Sequence, residues 1–246
     1  MAAERRFSGG ELVSGTMANI QRKRLVRRLL IHHLPLFAVS AASVFLLYVT
    51  RPYRDVLTRI SFATAYPAIL LLAATLLIGP VDLLRRKRTP VSSDLRRDVG
   101  IWAGILGLVH TAIGQNVHLR GRPWLYYVYD HQKPHLIPLR HDLFGFANYT
   151  GAIGVLVVLA LLATSNDSSL RALGTRRWKQ LQQWNYLAFA LAGAHAIGYF
   201  AIEKQKAPWV ALVLAGIAVT IALQLAGFQR RRAAKRRMEL ENILQP

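Results

Sequence analysis

Two histidines carry the only strong chemical signal inside the apolar part of this chain. His110 and His195 each lie in the middle of a run of about 20 apolar residues, long enough to cross a hydrocarbon core as a helix. His110 lies 12 residues beyond Asp98, and His195 lies 12 beyond Gln183, taking those two as the cytoplasmic edges of their runs. At about 1.5 Å per residue, both imidazoles sit about 18 Å into the membrane on helices that run in the same direction. Two imidazoles at one depth on parallel helices can ligate one haem iron from opposite faces. Their neighbours suit a flat plate. Gly107 and Gly114 flank His110 on one helical face, with Ala103 a further turn away, and Ala192 and Gly198 flank His195 with Ala188 beyond. Small residues at these spacings also fit plain helix–helix packing, which needs no cofactor. The matched depth favours the haem reading.

Other ligand chemistries are closed. The 246-residue chain has no cysteine, so thiolate-ligated haem, iron–sulfur clusters, disulfides and covalent c-type haem are excluded. Met1, Met17 and Met238 all fall outside the apolar runs, so methionine is not an axial ligand. His131 and His135 have i,i+4 spacing, but Pro134 between them argues against a helical metal site.

The elements that must position the pair follow from hydropathy. Six runs are read as spans: Leu29–Thr50, Ser61–Leu84, Val99–His118, Leu143–Thr164, Gln183–Ile202 and Pro208–Phe228. The expected architecture is all-α, an integral membrane six-helix bundle. Residues 1–28 form a basic cytoplasmic tail, 29–228 the haem-binding domain and 229–246 a second basic cytoplasmic tail. Composition agrees: 53% of residues are hydrophobic, yet 32 Lys and Arg against 12 Asp and Glu give a net charge of +20. Most of the basic residues fall in the two tails and in the second and fourth connections, which places both termini in the cytoplasm of a multi-pass protein. The charge is therefore an orientation signal and a source of contact with anionic membrane lipid, and no nucleic-acid partner is expected. The basic, polar first 28 residues contain no apolar h-region, so no cleavable signal peptide is expected. Asp82 and Glu203 stand only at the span ends. That lack of mid-membrane carboxylates argues against a proton-coupled transporter.

Three stretches resemble one family. They are Leu95-Arg96-Arg97-Asp98-Val99-Gly100 continuing to His110, Tyr149-Thr150-Gly151 through Ser165, and Leu173-Gly174-Thr175-Arg176-Arg177-Trp178-Lys179-Gln180-Leu181 leading to Tyr186 and His195. Their order and spacing are similar to helices three, four and five of the ferric reductase-like transmembrane domain family. Within it they resemble the bacterial haem-binding membrane subunits that serve a periplasmic methionine sulfoxide reductase. The resemblance implies a six-helix bundle with b-type haem between helices three and five, and His110 and His195 as its iron ligands. It also implies a bacterial inner-membrane location. Where the family has a further histidine 13 residues before the outer one, this chain has Gln182, and the matching position before His110 is Arg97. One haem b is therefore expected, in the outer half. His32 and His33 are expected at the lipid headgroups.

The outer connection between spans three and four holds His118, Arg120, Arg122, Asp130, His131, Lys133, His135, Arg140 and His141. Its arginines are candidates to pair with haem propionates. Trp124, Tyr126, Tyr127 and Tyr129 read as an interfacial aromatic belt. Only 18 residues follow Phe228 and no G-x-G-x-x-G segment follows a strand, so no flavin or nicotinamide domain is expected in the chain. Electrons must come from quinol or a partner reductase, with quinone or flavin as further cofactors to consider. The leading expectation is a b-type cytochrome acting as the electron-transfer subunit of an oxidoreductase system, with a redox partner protein and a periplasmic or membrane acceptor. The alternative is a non-catalytic scaffold or assembly subunit with degenerate haem sites.

Overall fold

The computed structural model describes residues 19, 22–51, 53, 55–85, 93–119, 121–130 and 136–244. Parts of the two basic tails and of the second connection, together with Arg120, His131, Lys133 and His135, lie outside the described residues. Among the described residues seven α-helices follow in order: α1 (Leu34–Thr50), α2 (Val56–Leu84), α3 (Ser93–Gly114), α4 (Leu143–Thr164), α5 (Asp167–Gln182), α6 (Asn185–Ile202) and α7 (Ala207–Leu244). A π-helical turn, Leu29–His33, precedes α1, and helix extends back to Arg22. Among the described residues there is no strand beyond one isolated antiparallel bridge, Val128 to Leu139.

Side-chain caps start the helices where the sequence offers them. Asp55 accepts from the Thr58 amide at 2.8 Å, Asp142 from Gly145 at 2.7 Å and Asn166 from Ser169 at 2.8 Å. Pro67 and Pro80 lie inside α2 and are both buried against neighbouring helices, the setting in which a membrane helix tolerates proline. α2 is the central helix, packed against α1, α3, α6 and α7, while α4 packs mainly on α6. The core joins Leu72, Ala73 and Leu76 of α2 to Ala103 of α3, Val157 and Leu161 of α4, and Ala188 and Phe189 of α6. Large apolar side chains also cover the outer surface, as at Phe45, Leu156 and Ile221. That is the pattern of a bundle whose solvent is lipid.

Among the described residues five helical stretches are long and apolar enough to cross a membrane: Arg22–Thr50, Val56–Leu84, Leu143–Thr164, Asp167–Ile202, which joins α5 and α6, and Ala207–Asn242. α3, read from the sequence as the third span, is less apolar because Asp94, Arg96, Arg97 and Asp98 occupy its first turns. The connection between spans four and five is itself helical, as α5, with a break at Gly174, whose φ of 71° lies in the left-handed region. α7 continues well past Phe228, through the segment read as a tail.

One end of the bundle is tied by ion pairs. Arg24 meets Asp94 at 2.9 Å, Arg97 meets Asp167 at 2.7 Å, and Arg230 donates to the Leu84 carbonyl at 2.8 Å. Asp98, taken from the sequence as an edge residue, has no exposed side-chain surface. It accepts from Arg28 at 2.5 and 3.4 Å, and His32 Nδ1 and His33 Nε2 lie 2.8 and 3.3 Å from its oxygens. His32 and His33 thus turn inward onto a buried carboxylate. Arg28, His32 and His33 stand at i, i+4 and i+5 across the π-turn and share that face. Breaking such a buried cluster by removing one partner costs about 3–5 kcal/mol. Asp98→Ala should therefore lower the thermal unfolding midpoint in detergent sharply, whereas Arg24→Ala, at a 61% exposed guanidinium, should change stability by about 0.5 kcal/mol or less. Equal midpoints for the two variants would refute this role for Asp98.

Candidate functional site

α3 and α6 deliver His110 and His195 to the same place. Their ring centres are 5.9 Å apart and their planes are inclined by 76°, as the shared depth in the sequence predicts. Each ring is held by its Nδ1. That of His110 lies 2.9 Å from the Ser61 carbonyl oxygen of α2 and 3.3 Å from the Ser61 hydroxyl. That of His195 lies 2.8 Å from the Ala147 carbonyl oxygen of α4. A carbonyl oxygen only accepts, so each Nδ1 bears the proton and donates. The other ring nitrogen, Nε2, is then left with a lone pair on both rings, the form in which imidazole binds a metal.

Both carbonyls belong to helix interiors and are also reached by a threonine three residues on: Thr64 donates to Ser61 at 3.0 Å and Thr150 to Ala147 at 2.8 Å. The approach of α4 to His195 depends on Gly151. A Cβ there would stand 2.6 Å from His195 Nδ1. The sequence places Gly151 inside a family-like stretch but does not single it out, since its partner is 44 residues away.

The pair faces a cavity of about 240 Å³. Gly107, Gly114, Gly151 and Ala192 line it beside the histidines, and Leu72, Ala103, Val158 and Ala188 close its deeper part. A Cβ at Gly107 would meet nothing within 4 Å, and one at Gly114 only Ser61 Oγ at 3.5 Å and His110 Cε1 at 4.0 Å. Gly198 does not border this cavity. A Cβ there would lie 2.8 Å from that of Ala147, so Gly198 lets α6 approach α4 and keeps the Ala147 carbonyl on His195.

The chemistry of the donor set is narrow. Among the described residues no group of three or more His, Asp or Glu could hold a bare metal ion. Two imidazoles suit instead a metal whose remaining positions come from a macrocycle. Rings 5.9 Å apart on two different helices, with both Nε2 lone pairs unspent beside an apolar cavity, would hold such a group between them. The residues present thus fit a haem.

Toward the end of the bundle away from the chain termini, aromatic and polar groups cover the pair. The Tyr199 ring lies 4.8 Å from His195, and its hydroxyl donates to Asn148 Oδ1 at 3.0 Å. His118 stacks on Tyr199 at 6.0 Å, and its Nε2 meets Glu203 Oε1 at 2.9 Å. Tyr126, read as part of an interfacial belt, is instead buried. Its hydroxyl donates to the Gly114 carbonyl at 3.0 Å and accepts from the His118 amide at 2.9 Å, so it locks the end of α3. Trp124, of the same expected belt, is 55% exposed. The Tyr149 hydroxyl donates to the Tyr127 carbonyl.

Of the outer arginines expected near haem propionates, the described two, Arg140 and Arg122, are otherwise engaged. Arg140 donates to Asp142 at 2.8 Å and to the Leu125 carbonyl at 3.1 Å, and Arg122 lies 3.5 Å from Asp130 on the surface. His141, exposed, sits 5.1 Å from the Tyr129 ring. At the other end, Arg97 is spent on Asp94 and Asp167, and Gln182 Nε2 is buried without a hydrogen-bond partner among the described residues.

No family model matches the chain. It is 31% identical over 147 residues, 59% of its length, to the protein-methionine-sulfoxide reductase heme-binding subunit MsrQ of Yersinia pseudotuberculosis, covering 64% of that protein. The corresponding MsrQ of Yersinia pestis is likewise 31% identical over 147 residues, with 63% of it covered. The chain thus spans less than two thirds of the length of these curated relatives. This similarity agrees with the resemblance in the sequence to bacterial haem-binding membrane subunits.

Two outcomes follow from the geometry. Gly151→Ala should push the His195 ring off its carbonyl and weaken haem binding about 10-fold or more in reconstitution. Gly79→Ala, whose Cβ would meet nothing within 4 Å, should leave binding unchanged; equal loss in both would refute the positioning role of Gly151. The second concerns pH. The hydrogen bond from His118 holds the Glu203 carboxyl below the ordinary glutamate range, against the opposing effect of burial. A lowered folded-state value means that the pair stabilises the fold above the unfolded value, about 4.3, and that this is lost as pH falls through the folded value. The gap in unfolding temperature between the wild type and Glu203→Gln should be open at pH 5–6 and close below about pH 4; a gap that does not vary with pH would count against the pairing.

Proposed function

We propose that the protein is a membrane b-type cytochrome that passes electrons through one haem held by His110 and His195. The observation that carries this reading is the pair of Nδ1-anchored imidazoles, 5.9 Å apart, with both Nε2 atoms free of those anchoring bonds and small residues around a largely apolar cavity. Bound there, haem would supply reversible one-electron redox chemistry. The chain's own contribution is positional. Ser61 and Ala147 fix the tautomer and direction of the ligands, Gly107, Gly114 and Ala192 leave room for the plate, and Leu72, Ala103 and Ala188 keep water from its inner side.

The membrane domain is a six-helix bundle in which α3 crosses with its charged first turns at the cytoplasmic surface. The distribution of basic residues supports cytoplasmic termini in an inner membrane. The histidine cavity then lies in the outer half. Its lining ends at Gln115, His118, Glu203 and Gln205, which suits delivery to a periplasmic or membrane acceptor. Quinol or a partner reductase supplies the electrons. The relatives' printed name, a heme-binding subunit of a methionine sulfoxide reductase, points to a reductase subunit as the partner. A single haem is favoured because Arg97 is committed to two aspartates and position 182 is glutamine.

The purified protein should show the absorbance of a reduced b-type haem at one haem per chain, and His110→Ala and His195→Ala should each abolish it. Absence of a Soret band from haem-replete membranes would overturn the reading and favour a scaffold subunit.

A further inference from the structure

We propose that Arg51 and Tyr66 form a binding site for an oxyanion, a carboxylate or a phosphate, at the aromatic wall of the histidine cavity. Arg51 follows the last residue of α1 and is only 6% exposed. Its guanidinium carbon lies 3.5 Å from the Phe62 ring centre and 3.8 Å from that of Trp209. These contacts address the face of the cation. They leave its N–H edge unanswered: Nε and Nη2 are buried without a hydrogen-bond partner among the described residues. The hydroxyl of Tyr66, 5% exposed, likewise makes no well-formed hydrogen bond and stands beside the same guanidinium, so the two groups are neighbours. Tyr66 packs at 4.4 Å on Phe62 and 5.5 Å on Trp209, so both orphan groups belong to one aromatic cluster. Phe62 and Tyr66 also line the histidine cavity.

The chemistry of the missing partner can be read from the other arginines. Arg28 turns this same Nε/Nη2 edge to Asp98 and Arg140 turns it to Asp142, both carboxylates, while Arg59 turns it to the Tyr53 carbonyl. An edge of two parallel N–H groups matches two oxygens of a carboxylate or phosphate, and a phenol hydroxyl adds a third donor. A buried guanidinium without such a partner is costly. Two sources fit: a propionate of haem bound between His110 and His195, or the phosphate of a phospholipid. The first rests on the function proposed above; the second does not.

The test compares wild type, Arg51→Gln and Arg51→Lys, with helical content by circular dichroism as the check on folding. Each cofactor-free protein in detergent is titrated with haem b and with its dimethyl ester, which lacks the propionate charges. Phosphate per chain is also measured after purification from phosphatidylglycerol vesicles. If the oxyanion is a propionate, wild type should prefer haem over the ester by about 30-fold or more, and Arg51→Gln should lose the preference. Arg51→Lys, which keeps the charge and loses the fork, should be intermediate and serves alone if Arg51→Gln does not fold. If the oxyanion is a lipid phosphate, haem and ester should bind alike, and bound phosphate should fall in both variants. No preference in wild type together with unchanged phosphate overturns the proposal. Failure of wild type to bind either compound refutes the haem reading of the histidine pair, and the phosphate measurement then decides the Arg51 site by itself.

Discussion

The arrangement rests on the hydrogen bond from a histidine Nδ1 to a carbonyl inside a neighbouring helix, made once at Ser61 and once at Ala147. A helix carbonyl can accept beyond the bond of its own helix, and here each oxygen is shared between the imidazole and a threonine hydroxyl three residues on. Reaching that oxygen requires the helix backbones to come close. Gly151 and the contact of Gly198 with Ala147 supply this closeness between α4 and α6. Ser61 has its own hydroxyl beside His110, so α2 and α3 meet through a side chain as well as a carbonyl. Small residues near the pair thus divide into two kinds. Gly107, Gly114 and Ala192 leave space, and Gly151 and Gly198 permit contact.

Around this neutral centre, charge is confined to the bundle ends. At the end carrying the termini, Asp98 gathers Arg28, His32 and His33, and Arg97 joins Asp94 to Asp167. At the other, Arg140 pairs with Asp142 and His118 with Glu203. In between, threonines at positions 64, 75, 150 and 220 return their hydroxyls to carbonyls of their own helices. That is what an apolar solvent demands of a polar group. Arg51 departs from the pattern, because its cation is buried in rings and has no carboxylate against it, only the Tyr66 hydroxyl nearby.

Much of this was legible in the residues, and the reasons for success and failure are physical. Helix existence and length follow from runs of apolar residues, and Leu143–Thr164 was readable to its ends because Asp142 caps one and Ser165 ends the other. α5 was missed because an amphipathic surface helix, with an interrupting Gly174, has the composition of a loop. Asp98 looked like an edge residue because a carboxylate next to arginines in sequence is usually solvated. Its partners Arg28, His32 and His33 lie 65 or more residues earlier.

The sequence by itself determined that the chain has helices made for a membrane, that basic residues crowd into tails and alternate connections, and that His110 and His195 share a depth. Each of these depends only on local hydropathy or on a constant rise per residue. The tertiary structure alone decided which carbonyls hold the two rings, that Tyr126 is buried, that His32 and His33 turn to Asp98, and that Arg51 is buried among rings with no carboxylate against it. Those outcomes require groups far apart in the chain to meet at hydrogen-bond distance, and no periodicity encodes which of several helix faces will do so.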